Sequence, residues 1–160
     1  MKGKTKKQGV AWGWLVFCFV LVYFVAFLGS IFTSSATGSE WYKEIRPAIT
    51  PPNYVFPIVW NILFFMIALS LYFVIVSKKN LKKKYFYWFF AINLFLNVLW
   101  SFLYFGIRNP ALALAEIVFL EISIGGMIYF GYFIDKKSGY LLVPYFIWVG
   151  FATILNYLSF

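Results

Sequence analysis

The chain has 160 residues, of which 63% are hydrophobic and 25% aromatic, and its formal net charge is +9. A soluble domain of this length cannot bury so much apolar surface, so the composition predicts a membrane protein. The sequence contains no histidine and one cysteine, Cys18. This excludes histidine-dependent catalytic triads, histidine-ligated metal sites and thiolate clusters. The positive charge does not predict nucleic-acid binding, because nearly all lysines fall in short tails and connectors between apolar runs.

Five apolar segments follow one another along the chain, each long enough to cross a hydrocarbon core with about 20 residues. In lipid such segments must be helices, because only a helix satisfies its own backbone hydrogen bonds. The sequence therefore predicts an all-α integral membrane protein with one five-helix bundle and a single domain. Its short connectors, residues 78–84, 108–110 and 135–139, predict that consecutive helices pack as antiparallel neighbours. The predicted helices are residues 10–32, 54–76, 85–107, 111–134 and 140–160, with an outer loop at residues 33–53.

Basic side chains are divided unevenly between the two sides of this predicted bundle. With the N-terminus inside, 11 lysines lie inside and 3 basic residues lie outside. The bias predicts an N-in, C-out orientation, which places a bacterial chain in the cytoplasmic (inner) membrane. The outer residues are Lys43, Arg46 and Arg108. The inner residues are Lys2, Lys4, Lys6, Lys7, Lys78, Lys79, Lys82, Lys83, Lys84, Lys136 and Lys137.

Polar side chains recur on one face of the third apolar segment. The positions i, i+4, i+7 and i+11 hold Asn93, Asn97, Trp100 and Tyr104, with Ser101 beside them. Placing this stripe of polar side chains against lipid would be costly, so this face of the helix is expected to point into the bundle. Either asparagine alone is better explained as a hydrogen-bonding contact between helices. The whole stripe favours a cavity wall, because aromatic rings with polar tips suit an amphipathic ligand.

The fifth segment repeats this pattern. Its positions i, i+3, i+7 and i+11 hold Tyr145, Trp148, Ala152 and Asn156. The small Ala152 next to Trp148 leaves space for a flat ring, although core packing explains each residue equally well when it is taken alone. Pro144 is expected within the first turn of this helix, where its missing amide hydrogen costs little.

Tryptophan and glutamate also occur inside apolar segments. Trp60 lies more than one turn inside the second segment, deeper than a tryptophan that only marks the headgroup region. Glu116 and Glu121 are carboxylates within the fourth segment, and such residues are candidates for function. They lie about 140° apart around a helix and cannot form a paired acid site on one face. A structural polar contact, for instance with Arg108 or Arg46, is favoured over acid–base catalysis.

Three blocks in order carry a family resemblance: WYKEIRPAITPP followed by FPIVWNILF, then LNVLWSFLYFGIRNPALALAEI, then PYFIWVGFATILN. Together with five spans in a chain of this length, they resemble the translocator protein / tryptophan-rich sensory protein family (TspO/MBR, the peripheral-type benzodiazepine receptor). The resemblance covers residues 41–160.

The resemblance implies a five-helix membrane protein, commonly a homodimer, with a pocket between helices that is covered by the first loop. It implies binding of porphyrins (tetrapyrroles) and other hydrophobic small-molecule ligands, and it implies no metal, cofactor or catalytic side chain. The implied ligand-binding residues are Trp60, Asn93, Asn97, Trp100, Tyr145, Trp148 and Ala152. The implied lid residues of the loop are Trp41, Tyr42, Arg46, Pro47, Pro51 and Pro52.

Two departures from the family pattern bear on this expectation. Ile49 stands where the family usually has tryptophan before the double proline, so one aromatic wall of the lid is expected to be lost. The last residues, LNYLSF, lack the basic residue of the cholesterol-associated pattern, and sterol transport is therefore not supported.

The leading functional hypothesis is a membrane receptor or carrier that binds a flat amphipathic ring, such as a porphyrin, for a transport or sensory-regulatory role. Lys43, Arg46 or Arg108 would meet ring carboxylates near the outer surface. The alternative is an enzyme-like, light- and oxygen-dependent degradation of the bound porphyrin, in which the ring supplies its own photochemistry. A third hypothesis is a small regulatory protein that senses ligand and acts on a membrane partner.

Overall fold

The computed structural model describes residues 10–78 and 80–160. All the regular elements in this part of the chain are helices, and five of them are long and apolar enough to cross a membrane. This confirms the predicted all-α, five-span fold. The helices are α1 (Trp12–Ala36), α2 (Glu40–Ile45), α3 (Val55–Val76), α4 (Lys82–Ser101), α5 (Pro110–Ile134) and α6 (Lys136–Tyr157), and α4 continues as a π-helical turn, Phe102–Gly106.

The helix bounds differ from the sequence expectation most clearly at two places. α1 continues to Ala36, so the connection to α3 is residues 37–54 and it contains the short helix α2. α6 begins at Lys136, because Asp135 Oδ1 accepts a hydrogen bond from the Lys137 amide at 2.9 Å and caps the helix. The prediction that Pro144 lies in the first turn is therefore wrong. Pro144 lies inside α6, where its ring removes one backbone hydrogen bond.

The spanning helices form a closed ring. α1 packs against α3 and α4, α3 packs against α6, and α5 packs between α4 and α6. The order around the ring is thus α1, α3, α6, α5 and α4. The prediction that consecutive spans are neighbours is wrong for α3 and α4, because α1 lies between them on one side of the ring and α6 and α5 lie between them on the other. Lys83 Nζ fixes the connection between them by donating to the carbonyls of Ile75 at 3.1 Å and Ser77 at 2.8 Å.

The two ends of the ring are distinct and are named here by their connections. The hairpin end is the one at which Asp135 joins α5 to α6, and the loop end is the one at which residues 37–54 lie. Close-packed apolar side chains fill the hairpin end, and the lone Cys18 is buried among them. The other members of this core include Val22, Ile67, Leu71, Phe86, Phe90, Ile124, Met127 and Leu142.

The outward faces of the spanning helices are apolar. Large side chains exposed on these faces include Val16, Phe24, Phe95, Phe119 and Ile147. Such an outer surface is favourable only against lipid, so the chain is a multi-pass membrane protein. The orientation stays a prediction, and five of the lysines counted for it, Lys2, Lys4, Lys6, Lys7 and Lys79, lie outside the described residues.

Candidate ligand pocket

A cavity of about 440 Å³ lies inside the ring at the loop end, beneath residues 37–54. Its walls come from α1, α3, α4, α5 and α6, and its cover comes from the connection between α1 and α3. The lining residues are Ala26, Gly29, Ser30, Thr33, Ser34, Thr37, Tyr42, Pro47, Thr50, Asn53, Phe56, Pro57, Trp60, Phe64, Asn97, Trp100, Ser101, Tyr104, Phe105, Ile117, Leu120, Trp148, Val149, Ala152, Leu155 and Asn156.

Aromatic rings form much of the cavity wall. Trp60 stacks on Phe64 with a centroid distance of 5.2 Å and an interplanar angle of 28°. Trp148, on α6, meets Phe56 edge-on with a centroid distance of 5.9 Å. Because neighbouring rings fix each indole, both tryptophans present aromatic surface to the cavity in a defined orientation.

A chain of hydrogen bonds lies behind this wall and joins α4, α5 and α6. Asn97 Nδ2 donates to the Tyr145 hydroxyl at 3.0 Å, and that hydroxyl donates to Asn93 Oδ1 at 3.3 Å. Asn93 Nδ2 in turn donates to Ser123 Oγ at 2.9 Å. Asn93 and Tyr145 are buried and do not line the cavity, whereas Asn97 does. The geometry of Asn93 and Tyr145 is that of a contact between helices, which was one of the two explanations offered by the sequence.

The remaining polar members of the α4 stripe are also hydrogen bonded. Trp100 Nε1 donates to Asn156 Oδ1 at 3.0 Å, and Asn156 Nδ2 donates to the Pro110 carbonyl at 2.8 Å. The Tyr104 hydroxyl lies 2.7 Å from Ser159 Oγ. Trp100 and Tyr104 stack on each other at 5.1 Å, just before and within the π-helical turn. These bonds use the polar tips of both rings, so the cavity meets their aromatic surfaces.

Arg46 holds the cover of the cavity together. Its guanidinium donates to Asn53 Oδ1 at 3.1 Å and to the carbonyls of Thr50 at 3.2 Å and Pro51 at 2.9 Å. Among the predicted lid residues, Tyr42 and Pro47 line the cavity. Four do not line it: Trp41, Arg46, Pro51 and Pro52.

Comparison with known proteins decides the family. The family model described as the TspO/MBR family matches residues 12–159. This chain belongs to the TspO/MBR family.

Similar proteins of this family occur in archaea and bacteria. The chain is 35% identical to the tryptophan-rich protein TspO of Archaeoglobus fulgidus over 148 residues, which covers 89% of this chain and 92% of the relative. It is 37% identical to the protein of the same name from Chlorobaculum tepidum over 145 residues, covering 89% and 91%. It is 31% identical to the tryptophan-rich sensory protein of Cereibacter sphaeroides over 140 residues, covering 84% and 87%.

The seven ligand-binding residues implied by the family resemblance therefore fall into two groups. Five line the cavity: Trp60, Asn97, Trp100, Trp148 and Ala152. The other two, Asn93 and Tyr145, support the wall from behind. Their role in ligand binding stays a prediction.

In this TspO/MBR chain Ile49 was expected to leave the lid without one aromatic wall, but residue 49 does not face the cavity. The Ile49 side chain is 56% exposed and does not line the cavity. The aromatic wall comes from the spanning helices instead, and the cover contributes Tyr42. Burial raises the pKa of the Tyr42 hydroxyl above its ordinary value, against the opposing effect of the Arg46 charge, so Tyr42 is a neutral hydrogen-bonding group.

The third of α1 nearest the loop end contributes a face of hydroxyl-bearing residues that sequence reasoning missed. The cavity-lining residues Ser30, Thr33, Ser34 and Thr37 are spaced i, i+3, i+4 and i+7, so they share one side of the helix. The signal was present in the sequence as a run of serine and threonine. It was overlooked because residues 33–53 were predicted to be a loop.

Glu116 and Glu121 do not form the polar contact that the sequence favoured. Both Glu116 carboxyl oxygens and Glu121 Oε2 are buried and have no hydrogen-bond partner in the described part of the chain. The asparagine and tyrosine donors between α4 and α6 already bond to one another. Neither carboxyl lines the cavity.

Proposed function

We propose that this protein binds porphyrins and other hydrophobic ring ligands in the loop-end cavity, and that binding serves a transport or sensory-regulatory role in the membrane. The observation that carries the proposal is the cavity itself, an aromatic-walled space of about 440 Å³ between helices. Ligand sites in proteins are usually concave, mostly apolar and of roughly 300–1,000 Å³. The sensory role is supported by the name of the Cereibacter sphaeroides relative.

A flat ring would use the two tryptophan walls and the gap beside Ala152. Trp60 and Trp148 offer aromatic surface for stacking, and the methyl side chain of Ala152 leaves room on the same face of α6 as Trp148. Asn97 gives its amide hydrogen to Tyr145, which leaves its Oδ1 atom as an acceptor for a ring N–H group. Two stacking surfaces and one acceptor suit an aromatic ring with a polar centre.

Binding of mesoporphyrin IX dimethyl ester, followed by the porphyrin's own absorption band, tests the proposal. The double variant Trp60→Ala/Trp148→Ala is expected to bind at least about 10-fold more weakly, because each stacking contact contributes about 0.5–1.5 kcal/mol beyond area burial. The control is Trp88→Ala, since the Trp88 side chain is 62% exposed on the outward face of α4 and does not line the cavity. Unchanged affinity in the double variant would show that the ring binds elsewhere.

Light- and oxygen-dependent degradation of the bound porphyrin is a second candidate function. It is favoured by the two electron-rich indoles of Trp60 and Trp148 in the cavity lining. Porphyrin would be excited by light, and molecular oxygen would be the oxidant. The test is the rate of porphyrin loss under illumination. A rate faster than in protein-free detergent, which returns to the protein-free rate in Trp148→Phe, supports this activity. Loss of porphyrin at the protein-free rate excludes it.

The homodimer and the cytoplasmic-membrane location belong to the same proposal. The family resemblance implies the homodimer, and the distribution of basic residues implies the orientation, which for a bacterial chain means the cytoplasmic membrane. Cross-linking in native membranes tests the dimer, and accessibility of an engineered cysteine at an end of the chain tests the orientation.

A further inference from the structure

The exposed part of the cavity lining lies between α1 and α3. Four lining residues are exposed at the outer surface: Ser30 and Ser34 on α1, Asn53 just before α3, and Pro57 within the first turn of α3. The other lining residues in the described part of the chain are buried or half-buried. The cavity therefore opens sideways between these two helices. We call this gap the side opening, and its four exposed residues are its rim.

α6 closes the ring against both of its neighbours beside the cavity. Towards α3, Trp148 meets Phe56 edge-on with a centroid distance of 5.9 Å. Towards α5, Asn156 Nδ2 donates to the Pro110 carbonyl at 2.8 Å, at the start of that helix. Direct contact between side chains or with the backbone leaves no passage at these two gaps.

α4 and its π-helical continuation close the ring on the other side. Ala113 of α5 is fully buried in one cluster with Phe105 of the π-helical turn. Towards α1, a Cβ added at Gly29 would lie 3.4 Å from Ser101 Oγ, so α1 and α4 are in van der Waals contact there. Four of the five gaps between neighbouring spans are thus closed at the level of the cavity, and the gap between α1 and α3 is open.

α1 and α3 meet closer to the hairpin end. The Tyr23 hydroxyl donates to the Asn61 carbonyl at 3.2 Å, and the Phe19 and Phe65 rings lie 5.1 Å apart between centroids. Ser30 lies about two turns beyond Tyr23 towards the loop end. Its small side chain donates to the Phe27 carbonyl of its own helix at 2.7 Å and makes no bond to α3. The contacts at Tyr23 therefore form the floor of the side opening.

The side opening faces lipid. On α1, the exposed apolar residues Phe27 and Ile31 lie next to Ser30 on the surface of the spanning helix. On α3, the exposed residues Ile58 and Ile62 follow the rim in the same way. Apolar side chains of this size are stable on an outer surface only against hydrocarbon, so the gap that they flank opens into the bilayer.

The cover offers a more costly route than the side opening. Arg46 bonds to Asn53 Oδ1 and to the carbonyls of Thr50 and Pro51, and these three bonds hold residues 46–53 together. A ligand that passed through the cover would have to break them, and hydrogen bonds to a charged group are among the stronger ones. Passage between Ser30 and Pro57 breaks none of these bonds.

We propose that the side opening is the entrance of the cavity, through which a ligand dissolved in the bilayer enters and leaves sideways between α1 and α3. The inference rests on the proposed function, because it assigns an access route to the proposed ligand site. It also defines the ligand class by solubility. An uncharged ring that partitions into hydrocarbon reaches Trp60 and Trp148 directly, whereas an ionised group would first have to enter lipid, which is costly.

The test measures how fast a bound ligand leaves. Wild type and Ser30→Trp are loaded with mesoporphyrin IX dimethyl ester in detergent, and a large excess of protein-free micelles captures the released probe. The porphyrin's absorption band follows the release. An indole at residue 30 narrows the side opening, so release is expected to be at least about 10-fold slower. The equilibrium affinity is expected to change by less than about three-fold, because entry slows by a similar factor.

Two further variants accompany Ser30→Trp. Ser34→Trp narrows the side opening at a second rim position, where the exposed side chain gives the indole room, and it is also expected to slow release. Ser35→Trp is the matched control, because Ser35 is exposed on α1 and does not line the cavity. It is expected to leave the release rate within about two-fold of wild type. Thermal unfolding of each variant checks that the fold is kept.

The outcomes separate the entrance from the proposed function. If wild type does not bind the ester, the proposed function fails and the entrance fails with it. If wild type binds and both Ser30→Trp and Ser34→Trp release the ester as fast as wild type or faster, only the entrance is overturned. Equal slowing by Ser35→Trp also overturns it.

A variant of the cover tests the competing route. Arg46→Gln removes the charge that holds the cover together. If it speeds release by about 10-fold or more while Ser30→Trp leaves release unchanged, the ligand passes through the cover and the side opening is not the entrance.

Discussion

The two ends of the helical ring use the same spanning helices and pack them differently. At the hairpin end, glycines bring backbones together: a Cβ added at Gly139 would lie 2.9 Å from Tyr132 Cα. At the loop end, the small residues Ala26 and Ala152 line a cavity of about 440 Å³. Small residues therefore allow two helices to approach closely at the hairpin end, whereas they leave open space at the loop end. The difference lies in what faces the small residue: at Gly139 it is the backbone of α5, and in the cavity it is aromatic side chains held in place by their neighbours.

Irregular backbone is also concentrated at the loop end. The π-helical turn Phe102–Gly106 lies there and carries Tyr104 and Phe105 into the cavity lining. Arg108 follows it with a φ of 54°, a left-handed conformation that is uncommon for a residue other than glycine. Such departures from regular helix often accompany functional sites. The hairpin end is thus the close-packed part of the fold, and the loop end holds the cavity of the proposed site.

The largest effect on stability is expected from Gly139→Ala at the hairpin end. The new Cβ would lie 2.7 Å from Tyr132 Cβ and 3.0 Å from its amide nitrogen, so α5 and α6 would have to move apart. The free energy of unfolding is expected to fall by about 1–3 kcal/mol. Unfolding in a detergent titration measures it.

Gly125→Ala is the matched control on α5, because a Cβ there meets nothing within 4 Å. It is expected to be neutral or to stabilise by up to about 1 kcal/mol through helix propensity. Equal destabilisation by both substitutions would contradict the close approach of α5 and α6 at Gly139.

Ala152→Leu is expected to weaken ligand binding strongly while changing stability little. The longer side chain occupies space beside Trp148 that the proposed ring requires, so affinity for mesoporphyrin IX dimethyl ester should fall by about 10-fold or more. The cavity accommodates the added carbons, so the free energy of unfolding should change by less than about 1 kcal/mol. Absorption titration and thermal unfolding together measure both quantities.

The control for this substitution is Ala115→Leu, on the exposed face of α5 and outside the cavity lining. It should leave affinity unchanged. If Ala152→Leu binds the ester as wild type does, the ring does not occupy the space next to Trp148.

The smallest effect is expected from Ile49→Trp, which introduces the residue that the family resemblance implies at this position. Residue 49 is exposed at the surface of the cover, so affinity for the ester should change by less than about two-fold. An increase of about 10-fold or more would show that the cover moves on binding and brings residue 49 to the ligand.

The sequence by itself determined the type and number of the spans and the inward faces of two of them. Long apolar runs must form helices in lipid because the backbone has no other partner. The spacing of Asn97 and Trp100 on α4, and of Trp148 and Ala152 on α6, placed these residues on one face of each helix, and the structure brings all of them to the cavity. Periodicity predicts a shared face because the helix has a fixed number of residues per turn.

Only the tertiary structure decided which residues of a face reach the cavity and which neighbours they meet. Asn93 lies on the same stripe as Asn97 but bonds Ser123 behind the wall. The hydroxyl-bearing face of α1 also lines the cavity, which the sequence did not indicate, and other helices separate the α3 and α4 spans. Periodicity fixes the direction of a side chain around its own helix. Depth, helix order and hydrogen-bond partners depend on how the helices rotate and pack against one another.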